Sequence, residues 1–534
     1  DQAMKRYVLN VPVRPWVPQW VALGMMFLIL LSVLMINGAY VGSSIDVSGA
    51  LGTTREDIMM AYYACSVGMV VANPFVQKIR QMLTSKSLLL ADMGAQVVLA
   101  LICARTDAVE IIILCSFLIG VLKTFLLLEF IILMTPFFSP GNVRSECNSW
   151  FYPIVFGGGQ LSVPLTAWLA NTYHWQYTYY FVIVLLLLTM ACVVVFFHNG
   201  RLPRMTVLRE INYRSPFLLS VAFLMIVYVG TYGKNADWFA NRYITLFAVL
   251  GAVTLLLFIV SQRYARHPYV SFQPFRHINS VVGYLFTFLC IFLNSDTTLV
   301  NSYVQNILNV DNVHANLLGL FTIPGYVIAG VIAFWWFRWQ RWRFRYLIAA
   351  AMGLFACYFA SLYWGIGPDS RYEALFLPMI VKGMGMMLCV IAFGVYTAEK
   401  LDARYLVSNT FFMISVRSLL TPVFAYSFYN NMLYQVQQRS MGRLVEHLTL
   451  TDPQAVQRYA ELMQGGMGQG YQQAVQMANS NLYALLQTQG LLLSLKILFG
   501  YLLLAAVVLA VASALIPFHQ TVRVPVVRAG TDMA

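Results

Sequence analysis

Long apolar blocks alternate with short polar segments along the whole chain. Residues 181–197 and 501–517 are typical, because each is an almost wholly apolar run without Asp, Glu, Lys or Arg. A helix needs roughly 18 or more such residues to cross about 30 Å of hydrocarbon. Only helices and closed barrels satisfy their backbone in lipid, and a barrel would show short segments of alternating polarity. The pattern therefore predicts helical membrane spans.

Fourteen blocks of this kind can be placed along the chain. The predicted spans are 18–42, 56–76, 86–104, 109–136, 145–170, 177–198, 214–233, 242–262, 278–305, 314–337, 344–364, 373–398, 404–430 and 488–517. An even number of spans puts both termini on the same side of the membrane. The sequence thus predicts an all-α membrane protein.

The basic residues between the spans decide which side that is. With the N-terminus inside, 22 of the 34 Lys and Arg residues fall on the cytoplasmic side, 8 on the opposite side and 4 within spans. Cytoplasmic loops of membrane proteins carry such an excess of Lys and Arg. We therefore expect both termini in the cytoplasm and the spans in the inner membrane.

Composition agrees with this interpretation and narrows the partners. The chain is 60% hydrophobic and only 10% charged, whereas a soluble domain carries about 25% charged residues. The net charge of +13 arises in loops beside the spans, so membrane topology explains it and no nucleic-acid partner is expected. The eight cysteines lack the spacing of metal ligands, and no phosphate loop or catalytic triad is present. We expect no cofactor and no enzymatic activity.

The segment 431–487 is the longest loop and lies on the predicted outer side. Asp452 and Pro453 resemble a helix start, and the glycine-rich residues 465–470 resemble a break between two amphipathic helices. Two interpretations stay open. The segment is either a helical hairpin that caps the outer mouth or a docking surface for a periplasmic partner.

Two stretches of sequence resemble a known family. Residues 171–181 (NTYHWQYTYYF) are similar to a Tyr-x-Trp-Arg-Trp-x-Phe stretch, and residues 294–301 (NSDTTLVN) to a Leu-Asp-x-Thr-x-Val-Asn motif. Both belong to the fourteen-helix drug:proton antiporters of the major facilitator superfamily, the EmrB/QacA branch. The resemblance implies a major facilitator fold. Its parts would be a six-helix bundle at 1–200, two inserted helices at 201–270 and a second six-helix bundle at 271–534.

The same resemblance implies a function and partners. It implies a proton-coupled secondary transporter that exports amphipathic small molecules by alternating access. Relatives in two-membrane bacteria work with a membrane-fusion adaptor and an outer-membrane channel, so such partners are an option here. The alternative is a proton-coupled importer, a symporter of small solutes or peptides, since peptide symporters also insert two helices in mid-chain.

Ionisable residues within the spans are the candidates for coupling. A charged side chain at the bilayer centre costs roughly 2.5–3.5 kcal/mol or more, so such residues are rare and mostly functional. Here they include Lys123, Glu129, Asp296, Lys382 and Arg417. Glu129 and Asp296 are the predicted proton carriers. The alternative is that each forms a fixed ion pair, Glu129 with Lys123 and Asp296 with Arg417.

The remaining site predictions concern the substrate cavity. Asn37 lies close to where the resembled family has the acid of its first helix, and aromatic side chains can line an adaptable apolar space. The predicted cavity residues are Lys123, Lys382, Arg417, Asn37, Trp150, Tyr152 and Phe412. Three cations stand against two acids in this set of intramembrane charges. The sequence therefore leaves the charge of the substrate open.

Overall fold

The computed structural model describes residues 13–80, 83–139, 141, 143–199, 213–265, 268–339, 344–446, 448, 453–466 and 470–518. These residues form helices joined by turns, with an isolated bridge between Val13 and Phe197. We number the α-helices in chain order. They are α1 Gln19–Val41, α2 Ser44–Leu51, α3 Arg55–Arg80, α4 Ser85–Arg105, α5 Val109–Phe138, α6 Arg144–Thr172, α7 Gln176–Phe196, α8 Arg214–Tyr232, α9 Arg242–Tyr264, α10 Ile278–Asn294, α11 Thr297–Asn306, α12 Asn312–Leu317, α13 Thr322–Trp339, α14 Phe344–Gly365, α15 Phe376–Tyr396, α16 Leu406–Ile414, α17 Thr421–Glu446, α18 Pro453–Gly466 and α19 Tyr471–Leu515.

Twelve helical segments of the described chain are long and apolar enough to cross a membrane. The predicted spans 56–76 and 145–170 are not among them. Helices are present at both places, α3 and α6. In α3 the first turn is Arg55, Glu56 and Asp57.

The last two long helices extend well beyond their predicted spans. The helix α17 runs on to Glu446, and α19 begins at Tyr471, so much of the 431–487 segment is helical. Between them α18 begins at Pro453, the predicted start, and packs against α19. Gly470 precedes α19 with a φ of 101°, which a residue with a side chain rarely adopts. Residues 467–469 of the predicted break lie outside the described residues.

Two predicted spans are interrupted near their ionisable residues. The span at 278–305 consists of α10 and α11, which are separated by Ser295 and Asp296. In the span at 404–430, a π-helical segment at Ser415–Leu420 joins α16 to α17 and contains Arg417. π-Helical turns are frequent at functional sites, and the substrate sites of transporters are typically formed by broken helices. The backbone therefore singles out Asp296 and Arg417.

Buried apolar side chains of the described residues form two large clusters, a smaller one, and a fourth of only four residues. The first large cluster joins α1, α4, α5 and α7, and the second joins the long helices from α10 onward. The smaller cluster joins α3 and α8 with the segment around α16 and α17. The helix α8 thus packs between a helix of the first part of the chain and a helix of the last part.

Glycines allow two pairs of helices to approach closely. A Cβ atom at Gly120 of α5 would overlap the carbonyl group of Cys65 on α3, and one at Gly68 of α3 would overlap the carbonyl group of Phe117. Gly325 of α13 and Gly383 of α15 contact each other's helices in the same reciprocal way. Small residues at such contacts stabilise helix pairs in membranes by close packing.

Candidate functional site

The helix break at Asp296 holds a buried ion pair. The Nζ of Lys382 on α15 lies 2.5 Å from Oδ1 of Asp296, and the Tyr358 hydroxyl on α14 donates to Oδ2 at 2.8 Å. The side chains of Asp296 and Lys382 are 0% and 4% exposed. Both carboxylate oxygens are therefore bonded, and the lysine neutralises a charge that would otherwise be costly to bury. Asp296 and Lys382 are called the C-terminal pair below.

The alternative of a fixed ion pair between Asp296 and Arg417 is not what the structure shows, because Asp296 pairs with Lys382. The guanidinium carbon of Arg417 instead lies 5.2 Å and 5.6 Å from the ring centroids of Tyr152 and Phe156 on α6. Asp296 precedes α11 and faces α14 and α15, whereas Arg417 projects from its π-helical segment towards α6. The negative face of an aromatic ring attracts a guanidinium group placed over it.

A second buried lysine bonds to an amide rather than a carboxylate. The Nζ of Lys123 on α5 donates to Oδ1 of Asn37 on α1 at 2.7 Å, and Lys123 is buried while Asn37 is half-buried. We call Asn37 and Lys123 the N-terminal pair. Lys123 therefore bonds to Asn37 and not to Glu129, the partner that the alternative of a fixed ion pair gave it. Glu129 is buried six residues further along α5, about 120° around the helix.

The three aromatic side chains predicted for the cavity lie in different surroundings. Tyr152 lies under Arg417, as described above. Trp150 is 38% exposed and its ring contacts Phe334 on α13. Phe412 packs into an aromatic cluster with Phe272, Phe275 and Tyr284. Of the three, Tyr152 is therefore the one in contact with an intramembrane charge.

Two residues of these contacts were missed at the level of sequence. The Tyr358 hydroxyl donates the second hydrogen bond to the Asp296 carboxylate. The ring of Phe156 contacts the Arg417 guanidinium together with that of Tyr152. A signal existed for Tyr358, since a tyrosine inside an apolar span needs a partner for its hydroxyl group. Nothing distinguishes Phe156 from the many other aromatic residues of the spans.

Polar contacts also connect the first and last parts of the chain. The side-chain amides of Asn312 and Asn316 lie within donating distance of the Gly42 carbonyl, at 3.3 Å and 3.5 Å. The Tyr63 hydroxyl of α3 donates to the Pro422 carbonyl of α17 at 3.3 Å. The contacts of Gly42 join elements of the two large apolar clusters, and the Tyr63 bond joins α3 to α17 within the smaller one. Relative movement of the first and last parts of the chain would break these bonds.

The site offers charge and hydrogen bonding rather than metal chemistry. No group of three or more His, Cys, Asp or Glu residues with the geometry of a metal site occurs in the described ranges. The cysteines there are free thiols, and most of them are buried. What the described site provides is a set of buried cations, one carboxylate that is paired with a lysine, and aromatic rings.

Comparisons with known proteins agree on the kind of molecule. The family model described as Major Facilitator Superfamily matches residues 25–425. The multidrug export protein EmrB of Haemophilus influenzae is 24% identical over 244 residues, which are 44% of this chain and 46% of that protein. The match thus spans about half of the relative's length.

Solved structures share the fold at low sequence identity. A POT family transporter in complex with a thioalcohol-conjugated peptide has a TM-score of 0.57 and 11% identity, over 95% of this chain and 98% of that one. A peptide transporter POT has a TM-score of 0.56 and 14% identity, over 96% and 97%. The nucleoside transporter NupG has a TM-score of 0.51 and 11% identity, over 92% and 99%. At this identity the likeness concerns the fold alone.

Proposed function

The chain belongs to the Major Facilitator Superfamily, a family of membrane transporters, and from this premise we propose that it exports amphipathic small molecules in exchange for protons. The buried C-terminal pair is the observation that carries the proposal. Export is supported by the similarity to a protein named as a multidrug export protein. Transport would proceed by rocking of two helix bundles around a central site.

Asp296 is the proposed proton carrier. Its carboxylate is neutralised by Lys382 and bonded by Tyr358 in the conformation described here. When Asp296 binds a proton it loses its charge, and Lys382 is left as a buried cation without a counter-ion. Such a cation is costly in a low-dielectric site, so protonation favours a different conformation. Proton binding and substrate movement are coupled in this way.

Glu129 is a second candidate for proton coupling. It is buried on α5, the helix that also carries Lys123. The proposed substrate cavity lies among the N-terminal pair, Lys382 and Arg417, with Tyr152 as an aromatic wall. Proton binding at either acid would change the balance of charge around this space.

We also propose fourteen spans, with both termini in the cytoplasm and the spans in an inner membrane. The two additional spans would be α3 and α6, whose 26 and 29 residues correspond to about 39 Å and 43 Å of helix. Their packing against α5 and α13 supports this. The proposed units are bundles at 1–200 and 271–534, with the inserted helices at 201–270 between them.

The helical segment 431–487 is the proposed contact for a periplasmic adaptor, which would connect the transporter to an outer-membrane channel. Its support is the length of the projecting helices, since α19 has 45 residues and only part of it is needed to cross the membrane. Removing Pro453–Gly466 should abolish cross-linking to the adaptor while transport in isolated vesicles continues. Cross-linking that survives the deletion would contradict docking at α18.

The proton-coupling proposal can be tested in inverted membrane vesicles. Respiration acidifies their lumen, so an exporter with proton exchange accumulates substrate there. Ethidium and 8-anilinonaphthalene-1-sulfonate serve as a cationic and an anionic probe, and uptake is followed by fluorescence. We expect Asp296→Asn to abolish gradient-driven uptake, because the residue can no longer carry a proton. The exposed acid Asp369 supplies the control, and Asp369→Asn should transport normally.

The possible results separate the two directions of transport. Uptake that persists in the wild type after an uncoupler is added would reject proton coupling. Gradient-driven loss of probe from the vesicles would indicate the alternative, a proton-coupled importer. If Asp296→Asn retains uptake and Glu129→Gln loses it, Glu129 is the carrier.

A further inference from the structure

The two lysine pairs have the same spacing along the chain. Asn37 and Lys123 are 86 residues apart, and Asp296 and Lys382 are also 86 residues apart. In each pair the first residue lies in the first long helical segment of its proposed bundle and the lysine lies in the fourth. The chain thus contains two copies of one arrangement, a buried lysine bonded to an oxygen of the first segment.

The copies differ in the charge of that oxygen. In the C-terminal pair the lysine bonds to a carboxylate, so the pair is neutral overall. In the N-terminal pair the lysine bonds to an uncharged amide oxygen, and within the described part of the chain Lys123 forms no ion pair. The N-terminal copy therefore gives Lys123 no counter-ion among the described residues, at a site where this lysine is only 4% exposed.

The remaining hydrogen-bonding groups of the N-terminal pair are mainly donors. The amide oxygen of Asn37 is used by Lys123, which leaves the amide NH2 group, and Asn37 is half-buried rather than enclosed. The ammonium group has two further N–H bonds. A second cation, Arg417, has a buried Nε without an acceptor among the described residues. Donors and positive charge without a counter-ion favour an anionic oxygen ligand.

We propose that the N-terminal pair binds the acidic group of an amphipathic anion, a carboxylate or sulfonate, which makes this anion the transported substrate. The inference rests on the proposed transport function and names its substrate class. The acidic group of the substrate supplies in the first bundle the negative charge that the Asp296 carboxylate supplies in the second. The two bundles then have different roles. Lys123 in the first bundle is neutralised by the substrate, and Lys382 in the second is neutralised by Asp296, which loses its charge when it binds a proton.

Two fluorescent probes of the same skeleton test the inference by equilibrium binding without a gradient. 8-Anilinonaphthalene-1-sulfonate carries a sulfonate, and N-phenyl-1-naphthylamine lacks it. With the purified protein in nanodiscs, and empty nanodiscs as background, we expect the sulfonate to bind at least about tenfold more tightly, the effect of a charge-assisted hydrogen bond. Equal affinities for the two probes in the wild type would overturn the proposal.

Variants then locate the preference. Lys123→Gln and the nearly isosteric Asn37→Asp should each remove the preference for the sulfonate, whereas Lys123→Arg should keep it. Their affinity for N-phenyl-1-naphthylamine should stay within about twofold of the wild type, which shows that the apolar cavity is intact. The control is Lys496→Gln, which removes the same charge from the half-buried Lys496 of α19 and should keep the preference. An Asn37→Asp protein that still prefers the sulfonate would contradict the role of the uncharged amide.

Failure of the inference and failure of the proposed function give different results. If the sulfonate preference depends on Lys123 but uptake into inverted vesicles does not depend on the proton gradient, the anion site is supported and proton coupling is rejected. If uptake depends on the gradient but the two probes bind with equal affinity, the transport proposal is supported and the anion site is rejected.

Discussion

At the scale of single residues, the C-terminal pair combines high burial with full hydrogen bonding. Lys382 and Tyr358 together bond both oxygens of Asp296, and no part of the Asp296 side chain is exposed. Removing one partner of a buried pair leaves an uncompensated charge, which strongly destabilises the fold. Removing both partners leaves no such charge. The stability of the fold should therefore depend on charge balance more than on the presence of the pair.

This gives a prediction for a double-mutant cycle. Lys382→Gln alone should destabilise the protein by about 3–5 kcal/mol, because the Asp296 carboxylate loses its counter-ion. The double variant Asp296→Asn with Lys382→Gln should recover most of that loss. Thermal unfolding of the purified protein, followed by intrinsic tryptophan fluorescence, provides the measurement.

The matched control is an ion pair on the surface. Asp402 and Arg404 lie 3.4 Å apart with side chains 67% and 74% exposed, so neutralising either should change stability by less than about 1 kcal/mol. A double variant of the C-terminal pair that unfolds as early as Lys382→Gln would show that shape or hydrogen bonding, and not charge, decides stability there.

At the scale of helices, reciprocal glycine contacts set how closely neighbours pack. The α3 and α5 helices meet at Gly68 and Gly120, and the α13 and α15 helices meet at Gly325 and Gly383. Both lysines of the two pairs lie on helices that are held in this way, α5 and α15. The glycines therefore help to position Lys123 and Lys382 by setting the distance between these helices and their neighbours.

We predict opposite effects for two glycine-to-alanine substitutions. Gly120→Ala should lower the unfolding temperature and the yield of folded protein, because its Cβ would overlap the Cys65 carbonyl, which belongs to a backbone that cannot easily move. Gly353→Ala on α14 has nothing within 4 Å of its Cβ and should be neutral or slightly stabilising, as alanine favours helix over glycine. Thermal unfolding in detergent and size-exclusion profiles would report both effects, and equal behaviour of the two variants would contradict close packing as the cause.

At the scale of the whole molecule, the orientation in the membrane is the main untested prediction. It places Glu461 of α18 outside and Asp402, between α15 and α16, in the cytoplasm. Both residues have well-exposed side chains, 49% and 67% respectively. We expect Glu461→Cys, but not Asp402→Cys, to react with a membrane-impermeant maleimide in intact spheroplasts.

The wild-type protein shows the labelling of its own cysteines, most of which are buried in the described structure. Lysis of the spheroplasts should make Asp402→Cys reactive. The reverse pattern, with Asp402→Cys reactive in intact spheroplasts, would mean that the termini lie outside. Labelling of both positions from the outside would mean that the number of spans between them is even.

Much of the helix pattern could be predicted because a span is a local property of sequence. Long apolar runs correspond to the twelve segments able to cross a membrane, although the ends of α17 and α19 were placed 16 and 17 residues too short. Those ends are polar, and their helices are stabilised by packing. The Ser494 hydroxyl of α19, for example, donates to that of Ser440 on α17. Such contacts between distant parts of the chain have no local signal.

The sequence by itself determined the apolar helices, the bias of basic loops and the small set of charges that the spans contain. These follow from composition and spacing, which can be read along the chain without knowing which helices are neighbours. Only the tertiary structure decided the partners: Asp296 with Lys382 instead of Arg417, and Lys123 with Asn37. Helical periodicity predicts which face of its helix a residue occupies. The packing of helices that are far apart in sequence decides which residues contact that face.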